Sequence, residues 1–232
     1  MNPTLESPVI AIDGPSASGK GTVAAEVARA LGFHHLDSGA LYRLATLAAL
    51  RSETALDDEQ ALARLASGMD VEFRDGAAWL DGRDVSEALR TEDVSAAASR
   101  VAAWPAVRRA LLARQRGFRR PPGLVSDGRD MGSVVFPDAP LKVFLTANVG
   151  TRAERRYKQL MEKGMYAKMG DVVEELRRRD ERDSSRPVAP LKHYPDAIFL
   201  DTTGLSVEAA VQKILGWWRD KSGDRPILPH GA

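Results

Sequence analysis

The sequence contains no cysteine, which excludes disulfides and thiolate metal sites. It also lacks an excess of charge. Thirty-three basic against 32 acidic residues give a net charge of +1, so no global field draws the chain to nucleic acid or to a membrane surface. No apolar run approaches the roughly 20 residues that span a bilayer. The opening stretch Met1-Asn2-Pro3-Thr4-Leu5-Glu6-Ser7-Pro8 lacks the basic-then-apolar order of a secretory leader, and a cytoplasmic protein without nucleic-acid or membrane partners is the expectation. What is present is ordinary in bulk: 232 residues, 44% hydrophobic and 28% charged, enough for one globular unit with a full core.

One stretch is not ordinary. Val9, Ile10, Ala11 and Ile12 form a short β-branched run suited to a buried parallel strand, and Asp13 follows. The chain then passes through Gly14-Pro15-Ser16-Ala17-Ser18-Gly19-Lys20-Gly21-Thr22, and helical spacing resumes with Val23, Val27, Ala30 and Leu31. A glycine-rich loop between strand and helix turns its N–H groups around an anion. The helix N-terminus adds its dipole, and Lys20 reaches the outer phosphates. The spacing Gly14-x4-Gly19-Lys20 is only moderately specific alone; the strand before it and the helix after it make it a nucleotide cradle. Gly21 stands where many such loops carry a magnesium-touching hydroxyl. Thr22 is the nearest one, so Mg2+ accompanying a nucleotide is expected to be held mainly by phosphates and water, with no dedicated protein metal site.

The remaining chain alternates strands and helices. Residues 34–37 read as a short strand, followed by a helix to about residue 50 with Ser38 as its cap. The adjacent His34 and His35 would point to opposite faces of a strand, which argues against a shared metal. Arg43 on that helix reads, by itself, as a solvated charge. A helix is expected over 57–66, and then an antiparallel meander with turns at Asp75-Gly76 and Asp81-Gly82. The region of about 63–95 therefore reads as an insertion rather than a core layer, with an ordinary surface hairpin as the equal alternative. Helices over 92–103 and from Pro105 to Phe118 precede the strand Leu124-Val125-Ser126-Asp127 and the polar corner Gly128-Arg129-Asp130-Met131-Gly132. Strands at 141–147 and 197–201 complete five, and a doubly wound parallel sheet follows, whose ligands gather at the strand carboxyl ends. Between the last two strands the chain is most charged, from Arg152 through Arg156 and Arg179 to Arg186. A solvated helix would look similar, but the phosphate loop favours a phosphate-binding reading.

These residues together resemble the bacterial cytidylate kinases, a branch of the nucleoside monophosphate kinases with a P-loop NTPase-like fold. The match runs through Ile12-Asp13-Gly14-Pro15-Ser16, Gly19-Lys20-Gly21-Thr22, Leu36-Asp37-Ser38-Gly39-Ala40-Leu41-Tyr42-Arg43, Ala97-Ala98-Ser99 with Arg108, Asp127-Gly128-Arg129-Asp130-Met131-Gly132, and residues 179–190. The resemblance implies a single kinase domain, with an acceptor region over 38–95 that includes the hairpin insertion, and a helical lid over 157–186. It implies ATP-dependent transfer of the terminal phosphoryl group to CMP or dCMP. The phosphate loop and the pair Arg152 and Arg156 would hold ATP, the pair flanking adenine. Ser38, Arg43, Ser99, Arg108, Arg129, Asp130, Arg179, Asp183 and Arg186 would hold the acceptor, with Asp130 reading cytosine or else fixing a neighbouring arginine. Lys20, Arg129, Arg179 and Arg186 would carry the catalytic charge, since in-line attack by a phosphate oxygen needs placement rather than a protein nucleophile. A monomer is expected. A kinase for UMP or for a non-nucleotide metabolite is the alternative; a GTPase is disfavoured because no Asn-Lys-x-Asp motif is present.

Overall fold

The computed structural model describes residues 7–74 and 76–223. The opening stretch without leader character, the turn residue Asp75 and the last nine residues lie outside them. The first strand, β1 (Val9–Asp13), is buried over its first four residues and leads through the glycine-rich loop to α1 (Lys20–Leu31). The chain continues through β2 (His34–Asp37), α2 (Ser38–Arg51) and α3 (Glu59–Gly68) to a three-stranded antiparallel sheet, β3 (Val71–Arg74), β4 (Ala77–Leu80) and β5 (Arg83–Asp84). Two helices, α4 (Glu92–Val101) and α5 (Pro105–Arg116), return it to β6 (Leu124–Gly128) and β7 (Leu141–Thr146). The antiparallel pair α6 (Val149–Glu162) and α7 (Met169–Ser184) is followed by β8 (Ile198–Asp201) and α8 (Val207–Ser222).

The large sheet has the order β2-β6-β1-β7-β8, and the pairings that build it are parallel. Its central strand is apolar from Val9 to Ile12 because both faces are covered. Val9 and Ala11 enter one apolar cluster with α2, α4 and α5, while Ile10 and Ile12 enter a second with α1, β7 and α8. The alternation of strand side chains thus splits β1 between two cores. β1 pairs with β6 on one flank and β7 on the other, and the crossovers from β1 to β2 and from β6 to β7 leave on opposite sides of the sheet order, so the β1 carboxyl end is the place where ligands collect.

Three local expectations shift. Asp37, not Ser38, caps α2: its Oδ1 accepts from the Ala40 N–H at 3.2 Å and Ser38 is the first helical residue. The helix expected at 57–66 runs two residues later, because the Asp58 carboxylate accepts from the Ala61 N–H at 2.9 Å and sets its start. The insertion is not separate from the core. Leu62, Ala66, Leu80, Val85 and Leu89 belong to the same cluster as Val9, Leu36 and Leu124. In its second turn Asp81 and Gly82 both have positive φ, 49° and 72°, as a tight two-residue hairpin demands.

Candidate active site

The phosphate loop starts where β1 meets the sheet's edge of carbonyls. A Cβ on Gly14 would lie 1.9 Å from the Leu145 carbonyl oxygen, so only glycine lets the loop leave β1 along this path. Gly19, at φ 90°, turns the loop into α1. The Lys20 ammonium donates to the Pro15 carbonyl at 3.2 Å across the loop mouth. Burial, reinforced by nearby Arg129, lowers its pKa to about 8. The Ser18 hydroxyl is buried with no hydrogen-bond partner among the described residues, and Thr22 is exposed. The Arg155 guanidinium lies over the loop, donating to the Ser18 carbonyl at 2.8 Å and to the Thr202 carbonyl at 2.7 Å.

In front of the loop is an open cleft of about 1040 Å3. Lys20 and Ser16 line one end, and Ser38, Arg43, Ser99, Arg108, Arg129, Asp130, Arg179, Asp183 and Arg186 line the rest. The structure therefore brings every residue expected on the acceptor side to one cavity. Arg129 links three parts of it: Nη2 donates to the Ser16 hydroxyl at 2.7 Å, Nη1 to the Gly128 carbonyl, and Nε to Asp183 at 2.7 Å. Asp183 also takes a short contact from Arg186. Burial works against the Asp183 charge, but Arg129 and Arg186 outweigh it and hold the carboxyl below its ordinary range. Asp130 is engaged by Arg108, and both are buried. Arg43 is held by Asp37 at 2.6 Å, and Arg182 donates to the Ser99 hydroxyl at 2.7 Å.

The arginines facing the cleft from α7 and the turn after it are incompletely partnered. The Nε atoms of Arg179 and Arg186 are buried without a hydrogen bond among the described residues, although Arg179 Nε lies 3.3 Å from a Glu175 oxygen. Burial pushes both guanidinium pKa values down. Uncompensated buried donors beside a phosphate loop suit an anionic ligand with many oxygens.

The pair Arg152 and Arg156 is not brought together at one place. Arg152 is buried and grips Asp180 with two hydrogen bonds, at 3.1 and 2.6 Å, while also donating to the carbonyls of Ala147 and Ser16. Arg156 turns to Glu92 and lines the cleft on the acceptor side. Arg155, between them in sequence, reaches the loop as Arg152 does, at the Ser18 carbonyl rather than the Ser16 carbonyl. Two carboxylates also went without a role in the sequence reading. Asp37 and Asp127 close the neighbouring strands β2 and β6, and Asp127 lies within 3.7 Å of where a Gly21 Cβ would be. His35 contacts Asp127 at 3.0 Å, while His34 turns to the Pro121 carbonyl. A carboxylate at the carboxyl end of a strand was the signal available for both. As hard oxygen donors beside the loop, they fit a divalent cation carried with a nucleotide.

Comparison with known proteins gives one consistent answer. The sequence pattern of the cytidylate kinase family matches residues 10–219. A cytidylate kinase of Chromobacterium violaceum is 59% identical over 214 residues, covering 92% of this chain and 96% of that protein. One of Paraburkholderia phymatum is 59% identical over 222 residues, covering 94% and 97%. Among solved structures, an uncharacterized protein from Eubacterium ventriosum superposes with a TM-score of 0.52 at 13% identity, covering 91% of this chain and 98% of that one, a likeness of fold alone.

Proposed function

The chain belongs to the cytidylate kinase family, and from that premise we propose how its cleft transfers the γ-phosphoryl group of ATP to CMP or dCMP, giving ADP and the diphosphate. The observation that carries the assignment of the site is the convergence of Lys20, Arg43, Arg129, Arg179 and Arg186 on one cavity in front of the phosphate loop. An acceptor phosphate oxygen attacks the γ-phosphorus in line as the bond to the bridging β,γ-oxygen breaks. Both reactants are anionic, so the work of the protein is to hold them together against repulsion and to spread the charge.

Loop amides and Lys20 take the ATP phosphates, with Arg152 and Arg155 braced against the loop carbonyls of Ser16 and Ser18. Arg43 and Arg129 take the acceptor phosphate. Arg179 and Arg186, with free Nε donors, meet the transferring group. Ser38, Ser99 and Asp183 offer short polar contacts to the acceptor nucleoside, and Asp130 with Arg108 faces the base. Asp37 and Asp127 would hold Mg2+ brought in with ATP, and the ion would supply neutralising charge to the phosphates. The segment 157–186 acts as a lid that excludes water, the competing nucleophile. The acceptor region of 38–95 faces it across the cleft.

The chain is proposed to act as a monomer. Among the described residues no helix is long and apolar enough to cross a membrane, and we place the protein in the cytoplasm, where its nucleotides are. A panel of acceptors assayed with ATP tests the reading. CMP and dCMP are expected to be turned over well and UMP poorly. A panel in which UMP or a non-nucleotide acceptor is preferred would reject it.

A further inference from the structure

Asp13 closes β1 immediately before the phosphate loop, yet nothing above gives it work. Its two carboxylate oxygens accept from the backbone N–H groups of Met131 and Gly132, each at 2.8 Å. Those residues open the π-helical turn Met131–Val135. Asp130 stands at the usual capping position of that turn, but its side chain caps nothing and is engaged by Arg108 instead. Asp13 thus performs from a neighbouring strand the capping that Asp130 does not perform from its own position. One residue earlier, Arg129 reaches Ser16 and Asp183. The two side chains that leave this loop in different directions are both pocket residues, and the backbone between them and the turn is held by one carboxylate.

We propose that Asp13 is a positioning residue of the acceptor site, fixing the backbone at Met131 and Gly132 and through it the aim of Arg129 at phosphate and of Asp130 at the base. The inference rests on the acceptor-site reading of Arg129 and Asp130 given above.

The arrangement is costly for the fold. Burial raises the Asp13 pKa to about 7, with the two backbone N–H groups and Arg129 pulling it down and Asp130 pushing it further up. Besides these, Lys142 on β7 and Lys192, Tyr194 and Asp196 ahead of β8 line the small cavity it borders, Lys142 being tied to Asp196 at 2.5 Å. A folded-state pKa above the unfolded 3.8 means that the folded chain binds more protons in that window. This group's contribution to stability therefore falls as pH rises from about 4 to about 7. A buried acid kept at that cost is accounted for by the site it serves.

The test compares kcat/KM for CMP in the wild type and in Asp13→Asn from about pH 5 to about pH 9. The amide is isosteric but turns its own donor toward one of the two N–H groups. The phosphate of CMP titrates near pH ~6 in both reactions, so the ratio of the two enzymes isolates position 13. The wild type is expected to lead by on the order of tenfold at alkaline pH, the lead shrinking as pH falls through about 7, with KM for ATP within about twofold. A pH-independent ratio, or equal losses on ATP and CMP, overturns the inference. If the variant does not fold, NMR on the wild-type chain decides. The Asp13 carboxyl carbon and the amides of Met131 and Gly132 are expected to titrate together near pH 7, and amides that ignore the carboxyl overturn it. Asp130→Asn, run alongside, separates the two levels. Unchanged CMP turnover in that variant removes the acceptor reading and this inference with it. Lowered turnover there, together with a flat Asp13 ratio, removes this inference alone.

Discussion

Arg129 and Asp183, 54 positions apart in sequence, meet at 2.7 Å and tie the loop after β6 to the lid helix α7. Asp183 is buried between two guanidinium groups, so its loss leaves both facing each other without compensation. Asp183→Asn is expected to destabilise the chain by about 3–5 kcal/mol. The sign with pH follows from its depressed pKa: the contribution is complete above the unfolded value of 3.8 and is lost as pH falls through the lower folded value. Thermal melts of wild type and variant should therefore converge at strongly acidic pH and differ most near neutrality; a constant gap would show that the pair is not ionised as described.

Lys20→Ala should leave a folded protein with a crippled chemical step, because the loop backbone that cradles phosphate does not depend on the lysine side chain. Circular dichroism and steady-state kinetics check it, and an ordinary kcat would sink the assignment of the loop. In the wild type the ammonium is charged below about pH 8. Consequently kcat/KM for ATP should decline above that pH, and Lys20→Arg should abolish the decline.

Arg179 lines the cleft with a pKa lowered by burial, its Nε without a hydrogen bond although paired in charge with Glu175 at 3.3 Å, so its remaining donors can turn to a ligand. Arg179→Ala is expected to lower kcat by about 10³ or more, the range for arginines that meet a transferring phosphoryl group, with KM for CMP little changed. If KM alone rose, the residue would contribute uniform binding and the lid would have no special part in the transition state.

Asp130 is the residue proposed to choose the base. Cytosine presents an amino donor where uracil presents a carbonyl, and a carboxylate satisfies only the first. Asp130→Asn should narrow the ratio of kcat/KM for CMP over UMP, by up to roughly 10⁴-fold if the wrong base leaves buried groups unpaired. Its contact with Arg108 supplies the competing account, in which Asp130 holds the arginine and both activities fall together at a constant ratio.

The five parallel strands, the phosphate loop and the charged corners were legible because each is local: short runs bounded by glycine, proline or a carboxylate state their own structure. Helix phase was not. Arg152, Arg155 and Arg156 lie within five positions, and that the first two meet the phosphate loop while the third turns to Glu92 depends on the rotation of α6 about its axis, information carried by no single window of sequence. Asp37 and Ser38 are both capping types, and only the hydrogen bond to Ala40 separates them. The same holds for Asp130, whose partner Arg108 sits 22 residues upstream on a different helix.

The two walls of the cleft are fastened unequally. The acceptor wall, through Leu62, Leu80 and Leu89, shares its apolar contacts with the central sheet, whereas the α6–α7 pair has only its own cluster of Ala153, Leu160, Val172 and Leu176. Opening the first disturbs the main core; opening the second breaks a handful of contacts and a few ion pairs. Amide exchange should accordingly be fast through α6 and α7 and slow through α3 and β4, and the proposed lid would then close as one moving jaw against an anvil. The half-buried Ala17 packs against that small cluster, so any excursion of such a jaw would be felt directly at the bend of the phosphate loop.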